Sequence, residues 1–89
     1  MMYTLIKNVV MRNRHFIIAK NEDGYYLAIE DKYITDGKTN QVLNGIQMHA
    51  NKTLNGCLQS VQDEVEIEYL MKTTGMELMD AMKVYFKIA

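Results

Sequence analysis

Residues 53–74, TLNGCLQSVQDEVEIEYLMKTT, form the longest segment of the chain with a single period. Leu54, Leu58, Val61, Val65 and Tyr69 recur at steps of three and four with Cys57 beside them. At 100° per residue they fall on one narrow stripe of a helix. Such a stripe needs a surface to lie on. The first 34 residues offer one, because they alternate and turn in the manner of a β-meander.

Within that region residues 3–12 (YTLIKNVVMR) mix β-branched and aromatic residues without a helical stripe, which predicts a strand. Asn13-Arg14 suits a tight turn, since Asn tolerates positive φ, and residues 15–20 (HFIIAK) read as the second strand. Asn21-Glu22-Asp23-Gly24 is the strongest hairpin signal, and residues 25–30 (YYLAIE) read as the third strand. Closing that hairpin on Asp23-Gly24 or on all four residues puts Phe16 and Ile18 on one face with Tyr25, Leu27 and Ile29. A two-residue first turn adds Val9 and Met11, and this face is the expected core. The opposite face then carries Val10, His15, Ile17, Ala19, Tyr26, Ala28 and Glu30, a mixed surface. Ile17 and Ile18 make the middle strand apolar on both sides, so something should pack on each.

Residues 31–52 give weaker signals. Asp36-Gly37 and Asn44-Gly45 are turn dipeptides flanking a short edge strand or loop at residues 41–43, and Ile34, Val42, Leu43, Ile46 and Met48 are expected at the rim of the core. Asn51 or Thr53 can cap the helix that follows, while Gly56 inside it is either tolerated or faces a close neighbour. Ile67, Leu70 and Met71 step off the main stripe and need a second contact. Thr74-Gly75-Met76-Glu77 has the spacing of a capping box that starts a last helix, and Gly75 equally suits the left-handed end of the preceding one. Leu78, Met79, Met82, Tyr85, Phe86 and Ala89 share a stripe of that last, amphipathic segment. The predicted fold is a single α+β domain over residues 1–89: a three-stranded antiparallel β-meander packed on one long helix, followed by a shorter C-terminal helix.

Composition bounds the function. About half of the 89 residues are apolar and a quarter charged, an ordinary globular balance, and the net charge of −1 excludes a globally basic nucleic-acid binder. The lone Cys57 cannot close an internal disulfide, and neither a signal-peptide pattern nor a membrane-length apolar run is present, so the expected location is cytoplasmic with no membrane partner. Lys, Asn, Ile and Met are plentiful, with Pro and Trp absent, a bias that suggests a low-GC bacterium or its phage.

No stretch carries recognisable catalytic chemistry. His15, His49 and Cys57 show no metal-ligand spacing, and Cys57 on an apolar stripe reads as a small core residue. No glycine pattern cradles a phosphate. The expectation is therefore a non-enzymatic protein with no catalytic residue, metal or cofactor. Three binding readings remain. The first is a protein–protein interaction module, an accessory or inhibitor protein whose partner-binding surface is Ile67, Met71, Met79, Met82 and Phe86. It is expected to homodimerise through the C-terminal helix (Met79, Met82 and Phe86) or through Val10, Ile17 and Tyr26 on the second sheet face. The second is nucleic-acid binding through Lys7, Arg12, Arg14 and Lys20, because the first 20 residues hold four basic residues and no acid. The third is an inhibitor of a nucleic-acid enzyme in which the ridge Asp63, Glu64, Glu66 and Glu68 mimics a phosphate backbone.

Overall fold

A computed structural model of the chain describes residues 3–30 and 49–87. In chain order these form β1 (Tyr3–Met11), β2 (Arg14–Asn21), β3 (Tyr26–Glu30), α1 (Leu54–Thr74) and α2 (Leu78–Phe86). The strands make one antiparallel sheet in the order β1-β2-β3. This is the predicted α+β meander with a long and a short helix. The rim residues Ile34, Val42, Leu43, Ile46 and Met48, the turn dipeptides between 36 and 45, and Ala89 lie outside the described residues.

Two turns set the sheet. Arg12 and Asn13 adopt φ of 47° and 68°, the paired left-handed geometry of a two-residue hairpin, one residue earlier than the sequence suggests. Val9 then faces Phe16 and Met11 faces Arg14, so both stay on the side of Phe16 and Ile18 as expected.

The second turn corrects the expected register. Glu22, Asp23 and Gly24 form a three-residue loop: Asn21 donates its N–H to the Tyr25 carbonyl at 2.9 Å, and Gly24 takes the left-handed position at φ 85°. An odd loop reverses side-chain parity relative to two or four residues. Phe16 consequently faces Glu30 and Ile18 faces Ala28, so Tyr26, Ala28 and Glu30 share the helix side while Leu27 and Ile29 point away. The core under α1 is Phe16, Ile18, Ala28, Cys57, Val61 and Val65, with Val9, Met11, Tyr26, Leu54 and Leu58 around it. On the other face Ala19, Leu27 and Ile29 are fully buried as well, while Ile17 is half-buried and Val10 exposed. In β1, the edge strand among the described residues, the pairing skips Ile6 in a bulge between Leu5 and Lys7.

α1 is fixed at its start by Asn51. Its backbone exchanges two hydrogen bonds with Tyr26, at 2.7 and 3.0 Å, and its Oδ1 accepts from the Thr53 N–H and hydroxyl. Thr53 is the cap, accepting from the Gly56 N–H at 3.0 Å. The close neighbour of Gly56 is the Asn51 amide: a Cβ on Gly56 would lie 2.3 Å from its Oδ1.

The C-terminal joint differs from the expected capping box. Gly75, at φ 75°, ends α1 by donating to the Met71 carbonyl, and the Thr74 hydroxyl donates back to the Leu70 carbonyl. Thr74 therefore closes α1, and α2 starts only at Leu78, behind Glu77, which makes no side-chain cap. α2 is nine residues long. It packs on the side of α1 remote from the sheet, with Ala81 buried and the Tyr85 hydroxyl donating to Asp63 at 2.8 Å. Asp63 sits about half a turn round α1 from Val61 and Val65, giving three layers: sheet, α1, α2.

Gly56→Ala should destabilise the domain by about 1 kcal/mol in urea unfolding, although alanine is the better helix former, because the methyl displaces the Asn51 amide from Thr53. The loss should shrink in an Asn51→Ala background. A stabilising Gly56→Ala would show that the amide moves aside without cost.

Candidate functional site

The charged residues gather where the first hairpin tip crosses α1. Arg14 shares the helix-facing side of β2 with Phe16 and Ile18, so its guanidinium projects between sheet and helix, 5.2 Å from the Phe16 ring. Glu30, opposite Phe16 on β3, lies on the same side and is only 8% exposed. The two meet as a fork: Nε to Oε2 at 2.9 Å and Nη2 to Oε1 at 2.7 Å. From above, Glu64 and Glu68, one turn apart on α1, accept from Nη2 at 2.8 Å and Nη1 at 3.1 Å. One guanidinium thus joins both layers.

Arg12 leaves the same turn on the other flank of α1. Its Nε donates to Glu66 at 2.9 Å, and its guanidinium lies 3.6 Å above the Tyr69 ring. Glu66 is on the opposite side of the Val61 and Val65 stripe from Glu64 and Glu68, so the hairpin tip straddles the helix. Lys72 pairs with Glu68 at 2.9 Å and His49 approaches Glu64 at 3.4 Å. Three cations therefore oppose four carboxylates.

This arrangement sets the titration of its members. The hydrogen bonds from Glu30, against the cost of burial, raise Arg14 further above its already high range. The Lys72 ammonium, helped by Arg14, holds the Glu68 carboxyl below its ordinary value. The hydrogen bond to Asp63 pushes the Tyr85 hydroxyl up, and burial raises the Cys57 thiol, as befits a packed core residue.

The sequence candidates are distributed as follows. Arg12 and Arg14 are engaged by carboxylates, while Lys7 and Lys20 are exposed elsewhere on the sheet, Lys20 with its ammonium 5.3 Å from the Tyr26 ring. The basic tip and the acidic ridge, which the sequence offers as separate surfaces, are two halves of one internal network. The remaining ridge member, Asp63, accepts from Gln59 and Tyr85. Of the self-association set, Val10 is exposed and Ile17 half-buried on the far face, whereas Tyr26 is on the helix side with the core. Glu30, which the expected register sets on the other face, is far less exposed than the ridge residue Glu68.

The Met-rich candidates do come together. Ile67 and Met71, one turn apart on α1, line an apolar groove of about 360 Å³ with Leu78, bounded by Glu64 and Glu68. Beyond it the outer side of α2 presents Met79 and Phe86, with Met82 half-buried between them and the Phe86 ring edge-on to Tyr85 at 4.9 Å. Leu78, on the apolar stripe of the last segment, and Val84, off it, are also exposed. Among the described residues no group of His, Cys, Asp and Glu could hold a metal ion, and no helix is long and apolar enough to cross a membrane. No protein-family model, curated protein or solved structure matches the chain.

Arg14→Ala should cost about 3 kcal/mol in urea unfolding, because it takes the two-pronged guanidinium contact away from a buried carboxylate. Adding Glu30→Gln should recover about 1 kcal/mol or more of that loss. Strict additivity would mean that the two side chains do not interact.

Since Glu68 has a folded pKa below its ordinary 4.5, its stabilising contribution is complete above that value and disappears as pH falls through the folded pKa. Stability followed by acid titration should decline below about pH 4.5, and less steeply in Glu68→Gln. Identical slopes would remove Glu68 from the acid response.

Proposed function

We propose that this chain is a small non-enzymatic protein–protein interaction module whose docking surface is the outer side of α2 with the groove between Ile67, Met71 and Leu78. The observation that carries this reading is the exposure of Leu78, Met79 and Phe86, at 52%, 64% and 43%, on one short helix. A helix of two and a half turns is unstable alone and is held here by Ala81 and Tyr85 on its inner side. Large apolar side chains on its outer side add little to folding, and contiguous apolar surface of this kind marks interaction sites. Methionine suits the task, because its flexible thioether adapts to the shape of a partner. An accessory or inhibitor role in the cytoplasm of a low-GC bacterium, or for one of its mobile elements, belongs to the same reading.

Nucleic-acid binding through Lys7, Arg12, Arg14 and Lys20 is the weaker alternative. A phosphate backbone would have to displace the carboxylates on Arg12 and Arg14. Phosphate mimicry by Glu64, Glu66 and Glu68 is weaker for the reciprocal reason.

Affinity capture from a host lysate, with and without nuclease, separates these readings. The wild-type chain should retain a specific protein after nuclease treatment, and Met79→Lys with Phe86→Lys should lose it. Capture that vanishes with nuclease, or that ignores the α2 substitutions, overturns the proposal.

A further inference from the structure

We propose that the strip of Met79, Met82 and Phe86 on α2 is covered by a second copy of this chain, the two α2 helices packing antiparallel across a two-fold axis. This rests on the reading of α2 as a docking surface and names its occupant.

The charge pattern of the helix selects that occupant. At 100° per residue Met79, Met82 and Phe86 fall within about 60° of one another, and Asp80, Lys83 and Lys87 fall together on the flank turned away from α1. All three charged residues are exposed, and none takes part in an ion pair among the described residues. The acid is at the N-terminal end of the flank and the lysines are toward its C-terminal end. A two-fold axis perpendicular to the helix presents a flank to its own copy run in reverse. With Met79 level with Phe86 of the second copy, Asp80 comes level with the midpoint between the second copy's two lysines, about 3 Å along the axis from each.

The same register sets Met82 beside its own symmetry mate and closes the apolar strip. A parallel pairing instead sets this charged flank against the opposite flank of the second copy, that of Leu78 and Tyr85, and forms none of these ion pairs. The surface is complementary to itself in one orientation, the property an isologous interface requires.

The test is sedimentation equilibrium on the full chain over a wide concentration range, with charge-swapped variants. The wild type should rise from the 10.3 kDa monomer toward twice that mass. Asp80→Lys alone, and Lys83→Asp with Lys87→Asp alone, should each weaken the dimer about tenfold, because every flank contact becomes repulsive twice over. Mixing the two variants should restore pairing to wild-type strength as a heterodimer. These positions are exposed on the monomer, so at concentrations where the wild type is itself monomeric the thermal unfolding of each variant should match that of the wild type.

A wild type that stays monomeric, a dimer indifferent to the charge changes, or a mixture that fails to recover overturns the inference. If the chain is monomeric while Met79→Lys with Phe86→Lys still abolishes capture of a host protein, the two-fold pairing fails and the docking reading stands.

Discussion

The position of Arg14 between the sheet and α1 organises the rest of the molecule. Apolar burial is non-directional, so the Cys57, Val61 and Val65 stripe on Phe16, Ile18 and Ala28 does not by itself fix how far α1 slides along the sheet. The five charge-assisted hydrogen bonds from Arg12 and Arg14 to four glutamates on β3 and α1 do. Asn51 performs the matching task at the other end, tying the start of α1 to Tyr26. Between these fastenings the helix has one position, and its far side becomes a defined platform for α2.

How far this was legible in the sequence depends on range. The α1 stripe and the three strands carry strong local periods, so their existence and order could be read directly. The register of β3 could not, because it turned on whether one loop holds an odd or an even number of residues. Ile17 and Ile18 are both apolar, as are Leu27 and Ala28, so hydrophobicity could not arbitrate. The available signal was Gly24 as third residue of a Glu22-Asp23-Gly24 loop, which matches the three-residue hairpin with a left-handed glycine. That misreading placed Glu30 on the wrong face and hid the partner of Arg14. At the C-terminus, the Thr74 hydroxyl donates back to the Leu70 carbonyl and accepts from the Met76 amide, but Gly75 ends α1 and α2 starts only at Leu78, so Thr74 and Glu77 do not form a capping box.

Charge and apolarity exchange roles once the chain is folded. In the sequence the obvious asymmetry is electrostatic, a basic beginning and an acidic middle, and both suggest external partners. Folding sets Arg12 and Arg14 against residues more than fifty positions away in the chain, a pairing that no local pattern reveals. What remains unusual on the outside is the side of α2 that α1 does not cover. The methionine cluster near the end of the chain was the sequence's only hint of it, and it could not say which side of the helix would be used.

The bulge at Ile6 bears on how copies of this protein meet. A regular, nine-residue border would invite a neighbouring backbone to zip along it, and repetition of that event builds fibres. The skipped residue breaks the spacing of amides and carbonyls near the middle of that border, and the ammonium of Lys7 beside it keeps the spot wetted. Growth by sheet extension along that border is thereby discouraged.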